Sequence, residues 1–123
     1  MEAKDLLNCN SLMIGDWIRD GHVYAQVTSI TCDGIIETTH SALSNIELVE
    51  PIPLTTEILE KNGFTKELEN GSHYRFTLID EHIKISILYA RSVFQWLGPL
   101  DFKYVHELQH ALRLCGIRKE IIV

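Results

Sequence analysis

With 123 residues, 46% of them hydrophobic and 23% charged, the chain has the size and composition of one compact soluble domain. It contains no apolar run of the roughly 18 residues that a membrane helix needs. A net charge of −6 works against nucleic acid as a partner, because Lys103, Arg113, Arg118 and Lys119 form only a dilute basic cluster interrupted by Glu107 and Glu120.

The first fifty residues read as short strands. Residues 13–19 lead into Asp20-Gly21, a strong turn signal. In residues 22–31, Val23, Ala25 and Val27 alternate with Tyr24, Gln26 and Thr28, the period of a half-buried strand. Asp33-Gly34 turns the chain into a strand over 34–38, and after a polar loop at His40-Ser41 a fourth strand is expected over 46–49. Four short strands with D-G turns predict a small curled sheet or an SH3-like β-barrel over residues 11–50.

Pro51-Ile52-Pro53 stops that sheet, since proline cannot donate to a central ladder. Thr55 is the expected N-cap of a helix over 56–62, with Glu57 in its first turn and Gly63 as the C′ residue. Ile58, Leu59 and Phe64 would bury one side of it. A hairpin follows. Pairing Ile79 with His82 sets Tyr74, Phe76 and Leu78 opposite Ile87, Ile85 and Ile83 on one face, with Arg75, Thr77, Lys84 and Ser86 on the other. Residues 91–97 add a third strand carrying Phe94 and Trp96. Gly98-Pro99 then turns into a last helix with Asp101 as N-cap and Gly116 as C′. The expected fold is therefore α+β: a β-rich part followed, over 51–123, by an α-β-β-β-α unit, in a single domain spanning 1–123.

That last helix contains His106-Glu107-Leu108-Gln109-His110, the H-E-x-x-H string of zinc proteases. In such enzymes His106 and His110 would bind the metal from one helix face and Glu107 would polarise its water. Six His and eleven Glu in the chain give the string a chance occurrence of about 3%. Its surroundings favour that reading. Tyr104, Val105, Leu108, Ala111, Leu112 and Cys115 form one apolar stripe, which puts the two histidines on the opposite, solvated side beside Lys103 and Arg113. The usual third ligand is missing downstream, where position 116 is Gly and Glu120 is the sole carboxylate side chain. His22, His40, His73 and His82 are the upstream alternatives. No catalytic residue, metal or cofactor is therefore assigned; the alternative reading takes His106 and His110 as zinc ligands and Glu107 as the base of a hydrolase.

Other constellations are weaker. Cys115 falls on the apolar stripe, as an inert core thiol would, and Cys9 and Cys32 have no neighbouring base in sequence. The three cysteines form neither a C-x-x-C pair nor an even set, and Met1-Glu2-Ala3-Lys4-Asp5 lacks the features of a secretory leader, so a reducing cytoplasm is the expected compartment. Nucleotide-binding and G-x-S-x-G motifs are absent from the sequence. Trp17, Tyr24, Tyr74 and Trp96 lack the interleaved basic residues of a single-strand stacking platform.

Ile14-Gly15-Asp16-Trp17 with the V-x-x-I that follows, Glu50-Pro51-Ile52-Pro53-Leu54-Thr55 running into Glu57-Ile58-Leu59-Glu60-Lys61-Asn62-Gly63-Phe64, and Lys103-Tyr104-Val105-His106-Glu107-Leu108-Gln109 together resemble a family of small uncharacterised proteins encoded by bacterial prophages and mobile elements. The resemblance runs in order along nearly the whole chain and implies no known activity. It requires no second histidine in the final helix, so His110 departs from it. The resulting expectation is a non-enzymatic phage or mobile-element protein acting through a protein partner, its acidic charge suiting a basic target. A nucleic-acid-binding accessory protein is the remaining alternative. Strand edges in the first fifty residues would allow a homodimer.

Overall fold

Two antiparallel sheets of five strands each and two short helices account for the regular structure of residues 12–31, 35–40, 44–45, 49–71, 73–80, 83–90, 93–96 and 101–123, which the computed structural model describes. The α+β class holds. The chain divides into two compact units, Met1–Pro53 with Tyr104–His106, and Leu54–Lys103 with Glu107–Val123.

In the first unit, Asp16 shapes the approach to the sheet. Its Oδ2 accepts the Met13 N–H at 2.7 Å and its own N–H donates to the Met13 carbonyl at 3.1 Å, closing a turn around Gly15, whose φ is 94°. Residues 13–16 are thus a turn, and the strand expected over 13–19 is shifted to β1, Trp17–Asp20. It pairs with β2, Val23–Ile30, in the hairpin that the Asp20-Gly21 signal predicts. β3 is Ile35–Thr38 and β4 is Ser44–Asn45. The expected strand over 46–49 lies largely outside the described residues, but β5 begins at Val49 and runs to Pro51.

The strand order is β4-β3-β2-β1-β5. β4 pairs with β3 and β5 with β1, and among the described residues no β4–β5 pairing closes a barrel. Ile18, Val27, Ile36 and Val49 point to one side and pack with Leu12 and Ile30. Each fully buried aliphatic side chain contributes about 1.5–3 kcal/mol. Val23 breaks the expected alternation, being exposed near the hairpin end.

In the second unit, α1 is Thr56–Lys61, with the Thr55 side chain accepting the Ile58 N–H as expected. The Gly63 N–H bonds to the Glu60 carbonyl and the Phe64 N–H to the Leu59 carbonyl, so the helix ends in a Schellman motif with Gly63 at φ 90°. Five strands follow: β6 Thr65–Asn70, β7 His73–Asp80, β8 Ile83–Ala90, β9 Val93–Trp96 and β10 Asp101–Phe102, ordered β10-β9-β8-β7-β6. The α-β-β-β-α expectation is thus two strands short. β6 carries exposed Lys66, Glu67 and Leu68 and, as an edge strand, buries too little to leave an apolar alternation in the sequence.

The hairpin faces are as expected but the register is not. Phe76 pairs with Ile87 and Leu78 with Ile85, and Asp80↔Ile83 is the pair nearest the turn. Each partner lies two residues from the expected one. Such a shift leaves every side chain on its own face, so the hydrophobic pattern could not detect it. Asp101 is likewise not an N-cap: it pairs with Gln95 in β10, and α2 runs from Val105 to Leu114. At the far end the Gly116 N–H meets the Arg113 carbonyl and the Ile117 N–H the Leu112 carbonyl, which confirms Gly116 as C′, with φ 76°.

Candidate functional site

Helix α2 holds the H-E-x-x-H string, and its three polar residues have different surroundings. Val105, Leu108 and Leu112 are buried, as the apolar stripe requires, but His106 and Gln109 are buried with them, at 5% and 6% exposure. The buried arc is therefore broader than the stripe and centred nearer Val105. This corrects the expectation of two solvated histidines: His106 is enclosed, whereas His110 is half-buried. The His106 ring stacks on Tyr104 at 5.9 Å with 9° between planes. The backbone explains its placement, since the Val105 N–H donates to the Ile52 carbonyl at 2.9 Å and Tyr104 bridges Pro53.

Glu107 has a structural task. Its Oε1 accepts the Lys103 N–H at 2.9 Å, just ahead of the helix. A carboxylate at this position satisfies a backbone donor and complements the positive end of the helix. Among the described residues, which include His22, His40 and His73 but not His82, no group of three His, Cys, Asp or Glu could hold a metal ion.

Cys115 also departs from expectation. The helix ends at Leu114, and Cys115 is an exposed free thiol rather than a core residue. Cys9 and Cys32 lie outside the described residues. The four aromatics divide between the two sheets. Tyr74 lies beneath the Lys66 ammonium at 4.4 Å in the second, and Trp96 pairs in β9. Among the described residues no helix is long and apolar enough to cross a membrane.

The outward face of the first sheet is the most distinctive surface of that unit. Because Ile18 and Asp20 are buried, Trp17 and Arg19 take the other side of β1, opposite Gln26 and Tyr24 of β2. Trp17 and Tyr24 are diagonal neighbours, within reach of aromatic side chains, and Tyr24 is 52% exposed. Arg19 forms an ion pair with Glu50 on the same face, and exposed Glu37 lies opposite Ser29. Behind the face, Thr38 Oγ1 donates to Asp20 Oδ2 at 3.0 Å and accepts the His40 N–H at 3.1 Å, which ties β1 to the end of β3. Residues 1–53 hold Lys4 and Arg19 against eight acidic side chains, while the remainder holds nine basic and nine acidic ones, so the whole net charge of −6 belongs to the first unit.

A second arrangement, which the sequence gave no reason to single out, centres on Asn62. It is 3% exposed, and its amide bonds to both backbone groups of Ile122 as well as to the Ile58 carbonyl, all at 2.7 Å. In sequence Asn62-Gly63 reads only as a helix end; nothing local marks a residue sixty positions away as its partner. No family model matches the chain, and neither a curated protein nor a solved structure matches it.

Proposed function

We propose that the chain is a non-enzymatic binding protein of phage or mobile-element origin, which docks a basic protein surface on the outward face of its first sheet. The observation that carries this reading is the confinement of the net charge to the unit whose open face presents Tyr24, Trp17, Glu37 and Glu50. Exposed Tyr24, with half-buried Trp17 beside it, supplies contact area at low entropic cost, and the unit's excess of acidic charge steers a cationic partner. The origin rests on the family resemblance alone. In this reading the first unit is an SH3-like platform. A meander of four strands whose fifth returns beside the first suits that architecture, as does the bulge between Val27 and Ser29, which bends β2. Among the described residues its edge strands are short, β4 with two residues and β5 with three, ending in a proline, which offers little for strand addition.

The test is capture from bacterial lysate with wild-type and Glu37→Lys bait, with and without nuclease. The expected result is a protein recovered by the wild type, insensitive to nuclease, and lost from the variant and as salt rises above about 0.3 M. Equal recovery by both baits, or recovery only of nucleic acid and its associated proteins, would overturn the proposal.

A further inference from the structure

The turn over residues 13–16 presents two large apolar side chains to solvent, Met13 at 45% and Ile14 at 64% exposure. The backbone around Ile14 is nevertheless firmly held. The Asp16 N–H donates to the Met13 carbonyl, and Gly15 takes φ 94°, the left-handed third position of a type II turn. Asp16 is itself fully buried, and its Oδ2 accepts the Met13 N–H at 2.7 Å. From β2, the Val27 carbonyl accepts the Gly15 N–H at 2.7 Å and the Val27 N–H donates to the Asp16 carbonyl at 2.9 Å. The Gln26 side-chain amide donates to the Gly15 carbonyl at 3.1 Å. Gln26 pairs with Trp17 on the outward face of the first sheet, so the turn adjoins that face.

A type II turn needs glycine-like freedom at its third position and sets no demand for an aliphatic side chain at its second. The turn therefore does not account for Ile14, and neither does the core, given its exposure. A side chain carried on so firmly held a turn loses little freedom on entering a pocket, which is what makes a preset apolar group an effective anchor. Met13 beside it is unbranched and adapts to an irregular rim. We propose that Ile14 is the apolar anchor of the docking face, and that the partner protein receives it in an apolar pocket bordered by basic residues. This inference rests on the reading of the first sheet as the docking surface, and charge selects the occupant. Residues 1–53 hold Lys4 and Arg19 against eight acidic side chains. That balance repels nucleic-acid phosphates and anionic bilayers alike, and it favours a basic rim around the pocket.

The test takes the protein that the wild-type chain captures from lysate, purifies it, and measures its affinity for Ile14→Ser, Ile14→Leu and Glu37→Lys by calorimetry at two salt concentrations, about 0.05 and 0.3 M. Ile14→Ser should weaken binding about tenfold or more at both concentrations, because the lost contact is apolar. Ile14→Leu, which keeps an aliphatic group of the same size, should stay within about threefold of the wild type. The loss in Glu37→Lys should shrink as salt rises, since it is electrostatic. Should Ile14→Ser lower the melting temperature, Ile14→Thr, which keeps the branch but not the apolar contact, takes its place. Wild-type affinity in Ile14→Ser, with binding still weakened in Glu37→Lys, overturns the anchor and leaves the docking face standing. Capture of no protein by the wild type overturns both. Co-sedimentation of the wild type with vesicles of phosphatidylglycerol and phosphatidylcholine, lost in Ile14→Ser, also overturns the proposal, because it gives the turn to a membrane surface.

Discussion

Asn62→Ala isolates the clasp that fixes residues 117–123. The substitution removes three hydrogen bonds from a side chain that is 3% exposed. At about 0.5–1.5 kcal/mol net per bond, the expected loss is about 2–4 kcal/mol. That is a large part of the 5–15 kcal/mol typical of a small protein. In urea the midpoint should fall by about 1–2 M. Asn62→Asp sharpens the test. A carboxylate can still accept the Ile122 N–H, but it turns an acceptor toward the carbonyls of Ile58 and Ile122. Its folded-state pKa is therefore raised above the unfolded value of about 3.9. The folded state then binds protons more readily than the unfolded one, so the variant loses stability as pH rises through that window and regains it on acidification. Urea titrations of wild type and both variants at pH 4.5 and 7 are the assay. The reasoning fails if Asn62→Ala costs less than about 0.5 kcal/mol, or if the deficit of Asn62→Asp is the same at both pH values.

Three further outcomes follow from the geometry. Thr38→Val removes the hydroxyl that donates to Asp20 and accepts from His40; a loss of about 1.5–3 kcal/mol is expected in the same assay, and a neutral effect would remove that bond from the account. Glu107→Ala should cost about 0.5–2 kcal/mol through the lost bond to the Lys103 N–H, whereas Glu107→Gln, which keeps an acceptor, should cost much less; equal losses would contradict the capping role. Gly116→Ala meets no atom within 4 Å, so its cost of about 1–2 kcal/mol should come from the left-handed backbone alone. A thermal melt of Gly116→Asn, which tolerates that conformation better, should recover part of it.

What the sequence disclosed was local chemistry, and what it concealed depended on tertiary partners. Thr55 and Gly63 bracket α1, and Gly116 ends α2, because caps act within a turn of the helix. The faces of β7 and β8 were legible from alternation, but their register was not, since a two-residue slip preserves the pleat. Asp101 has the composition of an N-cap, yet strand pairing with Gln95 takes it into β10. The margin of a helical stripe is equally ambiguous: His106 reads as solvated and is buried, whereas Cys115 reads as core and is exposed beyond the helix end. The H-E-x-x-H string could be found by eye, but only the bond from Lys103 reveals what Glu107 does. The edge strand β6 and the clasp at Asn62 left no periodic signal at all.

The measurement that bears most directly on function compares three baits, wild type, Tyr24→Ser and His110→Ala, for recovery of the same protein from lysate. Loss of an exposed interfacial tyrosine is expected to weaken binding by about 2 kcal/mol, roughly thirtyfold. The expected result is full recovery by His110→Ala and little by Tyr24→Ser. Recovery that survives Tyr24→Ser but is lost with His110→Ala would contradict the assignment of the first sheet as the working surface and return attention to helix α2.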